Sequence, residues 1–199
     1  MDRKLNVSTE TVLDATRKML SQHGSAVSLE LVAAEAGLTR QTLYNRFGSK
    51  QTLLRAAFDD LRQQIHTRLD NAPWESEPEV LLPVIARIVA DSFLDLAMAK
   101  LLRAMIQAVE DIPEISVSLR SDQTGQVLNK MIEYLQEKTQ AGEFYVTDPE
   151  TQAMLFLGSI NGFLFPRLLL GIVPPDERVN QKLIDASIES FLRIWRSPE

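Results

Sequence analysis

Cysteine is absent from the 199 residues, and histidine occurs only twice, at His23 and His66. Without cysteine the chain can form neither a disulfide nor a thiolate metal site, which is typical of proteins in a reducing cytoplasm. Two histidines far apart in sequence, with no glycine-rich phosphate loop, offer no catalytic or metal-ligating cluster. We therefore expect no enzymatic activity, no metal and no cofactor.

Long apolar runs are missing as well. The longest uncharged stretch, residues 151–166, has 16 residues, which is shorter than the roughly 20 that a transmembrane helix needs. The first four residues are mostly polar, unlike the apolar core of a signal peptide. A chain with 45% hydrophobic and 24% charged residues can nevertheless bury a core in one or two domains. The sequence predicts a cytoplasmic protein without a membrane partner.

Positive charge is concentrated in the first third of the chain. The net charge is −6, yet residues 1–70 contain ten Lys and Arg against eight Asp and Glu, and the remainder contains 11 against 19. Between Thr39 and Arg68 there are six basic side chains and two acidic ones. A basic strip of this kind indicates a nucleic-acid surface, and an acidic remainder would limit nonspecific binding.

Residues 39–47 form a short polar segment that contains two apolar residues, Leu43 and Phe47, four positions apart. In a helix these two residues share one face, which must be buried. Gln41 and Asn45 project from the opposite face, where nearly every side chain can form hydrogen bonds. Such a face is suited to reading base edges in DNA.

A second short helix is predicted immediately before this segment. Ser28 can cap its start, and Val32 and Ala33 lie at core spacing within it. Gly37 can adopt the left-handed conformation that ends the helix, and Thr39 can cap the next one. Two short helices joined at a glycine predict a helix-turn-helix, whose second helix enters the major groove.

Residues 28–39 and 42–50 together resemble the TetR family of bacterial regulators, and the resemblance covers roughly residues 8–60. It implies a helix-turn-helix DNA-binding domain over 1–48, followed by a helical ligand-binding and dimerisation domain over 49–199. The first part of that domain, 49–70, would be a long linking helix. Since no strand alternation appears beyond the head, we predict an all-α fold. In it, a three-helix head is joined by the long helix to a larger helical body.

The resemblance assigns roles to residues that match the family's motif. In the family, the residues matching Tyr44 and Lys50 hold DNA phosphates, and those matching Arg40, Gln41 and Thr42 lie closest to base edges. The predicted DNA-binding residues are Ser28, Thr39, Arg40, Gln41, Thr42, Tyr44, Asn45, Arg46 and Lys50.

Residue chemistry supports some of these roles and leaves others open. Lys50 would lie in the first turn of a helix opening at Ser49, where a cation gains nothing from the helix dipole and favours an external phosphate. Tyr44 could instead close the core of the head as a half-buried aromatic. Arg46 is as compatible with a solvated surface charge as with a phosphate contact. Glu30 would serve the dipole of its own helix and could also discriminate among DNA sequences.

The body contains apolar helices that could enclose a small-molecule pocket. Methionine is adaptable enough to line a cavity for varied apolar ligands. A methionine or aromatic at helical spacing is more often ordinary core, so this prediction depends mainly on the resemblance. A lone histidine such as His66 is likewise more often half-exposed than ligand-binding. The candidate pocket residues are Phe58, Leu61, Ile65, His66, Trp74, Phe93, Met98, Leu102, Met105, Val109, Met131 and Tyr134.

The last two predicted helices are too apolar for the surface of a monomer. Gly158 and Gly162 are four residues apart and permit close helix approach, which resembles the dimer contact of the family. Pro166 should kink the first of these helices near residues 162–165. A buried hairpin within a monomer is the alternative. The candidate interface residues are Leu155, Gly158, Gly162, Phe163, Ile184, Ile188, Phe191 and Trp195.

Together with the TetR resemblance, which implies a ligand-responsive dimer, these patterns predict a transcriptional repressor that binds a palindromic double-stranded DNA operator as a homodimer. An unknown small molecule bound in the body would release it. The protein would be cytoplasmic and would associate with the nucleoid when bound to DNA. The alternative is a DNA-bound structural or cell-cycle factor on the same fold that acts through a protein partner. The sequence does not specify the operator, the regulated genes or the ligand. It also does not decide between repression and activation, or show how many dimers occupy one operator.

Overall fold

The computed structural model describes residues 7–94, 96–108, 124–172 and 176–197. Regular structure in these ranges consists of ten α-helices and a short 3₁₀ turn at Gly24–Ala26, without a strand, so the all-α prediction is confirmed. The helices are α1 Thr9–His23, α2 Leu29–Glu35, α3 Arg40–Phe47, α4 Lys50–Asp70, α5 Pro78–Phe93, α6 Leu96–Ala108, α7 Thr124–Gln140, α8 Pro149–Asn161, α9 Leu164–Leu169 and α10 Glu177–Trp195. None of the helices in the described ranges has both the length and the hydropathy to cross a membrane.

The described residues form two compact units. The first unit comprises residues 7–63 and 96–108, and the second comprises residues 64–94, 124–172 and 176–197. Helix α4 contributes its first part to one unit and its last turns to the other. Helix α6, which the predicted division assigns to the body, packs in the first unit against α1 and the 3₁₀ turn.

The core of the first unit is built on α1. Ser8 caps this helix by accepting a hydrogen bond from the N–H of Thr11 at 3.1 Å. Val12 and Leu20 are fully buried on one face of α1. On the opposite end, Lys100 of α6 donates a hydrogen bond to the carbonyl of Ser21. A cation there complements the negative end of the α1 dipole.

The second unit contains a core cluster that draws on α5, α7, α8 and α10. Its aromatic centre consists of Phe144, Phe156, Phe191 and Trp195, whose rings approach at centroid distances of 5.4 to 5.6 Å. The indole N–H of Trp195 donates to Oε1 of Gln152 at 3.1 Å, so the polar atom of this buried ring has a partner.

The helix is interrupted at Gly162 and Phe163, within the predicted kink near residues 162–165, although both residues keep right-handed helical dihedral angles. Helix α8 ends at Asn161, and a Cβ on Gly162 would lie only 2.6 Å from the carbonyl oxygen of Gly158. Pro166 falls in the first turn of α9, where its missing N–H costs no helical hydrogen bond. The helix is therefore broken near residues 162–165, where Pro166 is predicted to kink it.

Candidate DNA interface

The turn between α2 and α3 has the caps that the sequence predicts. The hydroxyl of Ser28 accepts a hydrogen bond from the N–H of Leu31 at 3.3 Å and thus caps α2. Gly37 has a φ of 68°, in the left-handed region, and Leu38 N–H donates to the Ala33 carbonyl at 2.8 Å. This arrangement satisfies the last carbonyls of α2 and turns the chain directly into α3.

Helix α3 is fixed at its start and along its inner face. The Thr39 hydroxyl accepts from the N–H of Thr42 at 3.1 Å, and the hydroxyls of these two residues are 2.9 Å apart. Leu43 is 0% exposed, while Phe47 is partly buried. The buried leucine and the cap together set which side chains of α3 project outward.

The outer face of α3 is entirely polar apart from the ring of Tyr44, which is 50% exposed. The exposed residues on this helix are Arg40, Gln41, Thr42, Tyr44, Asn45 and Arg46. Gln41 Nε2 donates to Asn45 Oδ1 at 2.7 Å, which orders the two amides side by side. Arg46 donates to the carbonyl of Val7 at 2.9 Å, so its guanidinium is held by the segment before α1.

Arg40 forms an ion pair with Glu30 of α2 through its Nε atom. The pKa of the Glu30 carboxyl lies below its usual value. The largest cause is a hydrogen bond from its own backbone N–H, followed by one from the Ser28 hydroxyl and by the charge of Arg40. The carboxylate is therefore ionised at neutral pH. Residue spacing indicated no such pairing, since Glu30 and Arg40 lie in different helices.

Lys50 is the first residue of α4, as expected from the sequence. The preceding Ser49 hydroxyl accepts from the N–H of Thr52 at 3.0 Å and lies 2.8 Å from the Thr52 hydroxyl. The positive end of the α4 dipole and the ammonium group thus lie together, an arrangement that attracts an anion such as a phosphate.

The predicted pocket residues are distributed over both units. Val109 and the side chains of Phe93 and Met105 lie outside the described residues. The first unit contains Phe58, Leu61, Met98 and Leu102, and the second contains Ile65, His66, Trp74, Met131 and Tyr134.

Two aromatic candidates in the second unit already use their polar atoms. Trp74 Nε1 donates to the Leu69 carbonyl at 2.7 Å, and the Tyr134 hydroxyl donates to the Ser76 carbonyl at 3.0 Å. Burial raises the pKa of Tyr134, which keeps its hydroxyl a donor. These two side chains therefore hold the connection between α4 and α5 in place.

His66 belongs to a polar network between α4 and α7. Its Nδ1 atom is hydrogen-bonded to Oε1 of Gln126, and Gln126 Nε2 donates to Asp70 at 2.9 Å. Lys130 donates to the same Asp70 oxygen at 2.9 Å, and this contact is the largest cause of the lowered pKa of Asp70.

A surface groove of about 550 Å³ lies in the second unit, and none of its described lining residues is a predicted pocket residue. Its described lining residues are Thr67, Arg68, Asn71, Ala72, Pro83, Val84, Arg87 and Ile88. Both arginines of the groove, Arg68 and Arg87, form ion pairs with Asp91, each at an N–O distance of 2.8 Å. The positive charge of the groove is thus largely neutralised by the protein itself.

The predicted interface residues differ in exposure. Leu155 and Phe163 are 53% and 69% exposed, and Gly158 has open space where a side chain would project. Gly162 is exposed, whereas Ile188 and Phe191 are partly buried. Ile184 and Trp195 are buried and pack within the unit, so they support the exposed residues from inside. Further exposed apolar residues, outside the predicted interface set, are Met154, Leu170, Ile172, Val179 and Ile194.

Two family models match this chain. The model described as "Bacterial regulatory proteins, tetR family" matches residues 12–57. The model described as "AefR-like transcriptional repressor, C-terminal domain" matches residues 80–197, which is more than half of the chain. Among curated proteins, the HTH-type transcriptional regulator AlkX of Mycobacterium tuberculosis is 46% identical over 67 residues. That match covers 31% of this chain and 31% of AlkX, so the similarity extends over about a third of the relative.

Solved structures share the fold over nearly the whole chain. A TetR transcription regulator from Haloarcula marismortui has a TM-score of 0.76 at 18% identity, covering 95% of this chain and 98% of its own. SmeT, the repressor of the Stenotrophomonas maltophilia multidrug efflux pump SmeDEF, has a TM-score of 0.64 at 19% identity. The match with SmeT covers 93% of this chain and 90% of SmeT. At these identities the likeness concerns the fold.

Proposed function

Because this chain belongs to the TetR family of bacterial transcriptional regulators, we propose that it is a repressor that binds a palindromic operator as a homodimer. A small molecule bound in the C-terminal body would release it. The observation that carries the proposal is the polar outer face of α3, presented by a helix that Leu43 and the Thr39 cap hold in place. Repression is favoured by the description of the matched C-terminal model.

Base reading in this proposal belongs to the first turn of α3. Arg40 can donate two hydrogen bonds to the O6 and N7 atoms of guanine, and Gln41 can pair with the edge of adenine. Thr42 can contact the methyl group of thymine. Asn45, hydrogen-bonded to Gln41, would extend the same surface by one turn.

Phosphate contacts would position the helix without carrying sequence information. Tyr44 has an exposed hydroxyl and Lys50 lies at the N-terminus of α4, so both are suited to this role. Ser28 and Thr39 cap α2 and α3, whose N-terminal N–H groups also attract phosphate. Arg46 would use guanidinium hydrogens that the Val7 carbonyl does not engage.

The homodimer would form through the exposed apolar surface of α8 and α9. Leu155 and Phe163 supply large apolar area there, and Gly158 offers a close approach for a second helix. A monomer rarely leaves such a patch uncovered. Two copies related by a twofold axis would present their recognition helices to the two half-sites of a palindrome.

Release by a small molecule requires a ligand that favours a conformation with the wrong head spacing. An affinity difference of about 100-fold between the two conformations supplies roughly 3 kcal/mol of coupling. The polar atoms of Trp74 and Tyr134 are bonded to backbone carbonyls. The candidates left to contact a ligand are therefore mostly apolar, which favours an apolar ligand.

The test is selection from a pool of random 30-base-pair duplexes by the purified protein at a fixed, physiological salt concentration. We expect an enriched sequence with twofold symmetry, whose half-site centres are about 34 Å or more apart. A variant with Arg40, Gln41 and Thr42 all changed to alanine should retain DNA without enrichment. Enrichment of a sequence lacking twofold symmetry would contradict dimeric binding.

Repression is tested on the selected site placed across a promoter in a purified transcription reaction. Adding the protein should lower transcript yield, and adding an effective ligand should restore it. An increase in transcript yield on adding the protein would instead identify an activator.

A further inference from the structure

We propose that Glu30 determines DNA sequence specificity by holding the guanidinium of Arg40 in position for one guanine. The inference rests on the proposed function, because it assigns a role within the same DNA interface. A carboxylate at such a surface is unexpected, since its own charge repels phosphate. Its partner explains why the residue belongs there.

The pair is located where α2 and α3 both begin. Glu30 lies in the first turn of α2, and Arg40 is the first residue of α3. The Nε atom of Arg40 pairs with Oε1 of Glu30, while the two side chains remain 64% and 58% exposed. The ion pair is therefore on the surface from which the other recognition side chains of α3 project.

The atoms used in this pair leave the reading end of arginine available. A guanidinium carries one N–H on Nε and two terminal amino groups in a rigid plane. When the carboxylate engages Nε, a terminal amino edge can still reach O6 and N7 of a guanine. An arginine that is already oriented also loses less conformational freedom on binding, which increases the gain from the correct base.

Glu30 lies two residues after the serine that caps α2. The pKa of its carboxyl is lowered, chiefly by the backbone N–H of Glu30 itself and next by the Ser28 hydroxyl, so the group that pairs with Arg40 is a carboxylate. The same hydroxyl accepts from Leu31 N–H and caps α2. The position of Arg40 is thus connected to the first turn of α2 through the Glu30 side chain. A negative charge held there lowers affinity for all DNA while increasing the difference between correct and incorrect bases.

The test compares wild type, Glu30→Ala, Arg40→Ala and the double variant. Each is titrated with the duplex selected by the wild type, with single base-pair replacements of it, and with a scrambled duplex. We expect Glu30→Ala to bind the scrambled duplex more tightly than wild type does. Its discrimination at the base pair read by Arg40 should fall about tenfold. In the Arg40→Ala background, removing Glu30 should leave base discrimination unchanged, because its partner is gone.

Glu35→Ala is the matched control. Glu35 is at the other end of α2, is exposed, and pairs with Lys18 at 2.5 Å, so its removal makes the same charge change without touching Arg40. It should leave base preference unaltered. Glu30→Gln, which keeps an acceptor of the same shape, should retain part of the discrimination. Circular dichroism confirms that each variant is folded.

Two results would overturn the inference: unchanged base preference in Glu30→Ala, or effects of Glu30→Ala and Arg40→Ala on discrimination that simply add. A wild-type protein that selects no sequence would be a different failure. In that case the proposed function itself is wrong, and the role of Glu30 falls with it.

Discussion

Leu43 and Tyr44 are adjacent in α3 and have opposite environments. Helical geometry directs Leu43 into the first unit, where it is fully buried, and directs Tyr44 to the surface. Neither the methyl groups of Leu43 nor the ring of Tyr44 could by itself select a DNA sequence. The contrast between the two residues shows that the helix orients its polar face by burying a single large side chain.

Leu43→Ala should therefore lower the free energy of unfolding by about 2 to 5 kcal/mol, because it leaves a cavity under α3. Both tryptophans, Trp74 and Trp195, belong to the second unit. For Leu43→Ala, the midpoint of denaturant unfolding should therefore shift more when unfolding is followed by circular dichroism than when it is followed by tryptophan fluorescence. Tyr44→Ala, an exposed neighbour, should leave both curves nearly unchanged. Equal shifts in the two signals for Leu43→Ala would contradict separate units.

Lys50→Ala should weaken binding to every DNA sequence by a similar factor. Its ammonium group is proposed to neutralise one phosphate, so the slope of log affinity against log salt should decrease by about one. Lys182→Ala makes the same charge change on the exposed surface of α10 and serves as the control. A loss confined to the selected sequence would assign Lys50 to base reading instead.

For single residues, the sequence predicts which face of a helix a side chain occupies better than it predicts which residue that side chain contacts. The four-residue spacing of Leu43 and Phe47 correctly indicated the inner face of α3. The ion pair between Arg40 and Glu30, and the bond from Arg46 to the Val7 carbonyl, were not predictable. These contacts join separate helices or segments, and no local spacing encodes them.

Among the helices, α2 and α3 follow local rules most closely. Serine or threonine caps the start of each one, and Gly37 ends α2 in the left-handed conformation. These signals are short-range, which is why the sequence predicted them correctly. The break between α8 and α9 lies where Pro166 predicts a kink. The conflict between a Gly162 side-chain position and the Gly158 carbonyl depends on three-dimensional backbone geometry.

Gly37→Ala tests the turn between the two helices. At a φ of 68°, an alanine costs roughly 1 to 2 kcal/mol of folding free energy. Space is not the cause, since nothing lies within 4 Å of a Cβ at this position. Gly37→Asn should lose less, because asparagine tolerates this conformation better. Thermal unfolding measures both variants, and a Gly37→Ala protein as stable as wild type would contradict the account.

For the whole molecule, the grouping of helices is the feature that sequence could not supply. The hydropathy of α6 shows that one face is buried, but it does not show against which helix. The structure packs α6 on α1, while the interface candidates Ile184 and Trp195 lie in the core of the second unit. Apolar patterning identifies which helix face is buried. It does not show whether that face packs against the same chain or against a second copy.

Gly158→Leu separates these two possibilities. Because a Cβ at this exposed position would meet nothing within 4 Å in one protomer, the variant should fold normally. If a partner helix approaches there, the leucine should raise the dimer dissociation constant by more than about tenfold through steric overlap. Sedimentation velocity over a concentration series measures this change. Asn129→Leu places the same leucine side chain at an exposed position of α7 and should not affect assembly. A wild-type monomer, or an unchanged dimer of Gly158→Leu, would contradict the proposed interface.

The central claim is that the polar face of α3 directs this chain to specific genomic operators. Its most direct test is to incubate the purified protein with fragmented DNA from the source organism at physiological salt and to sequence the retained fragments. We expect a few palindromic sites upstream of genes, and we expect their retention to be lost when Arg40, Gln41 and Thr42 are changed to alanine. Many dispersed sites within genes would favour a structural DNA-binding factor, and no enrichment would contradict sequence-specific DNA binding.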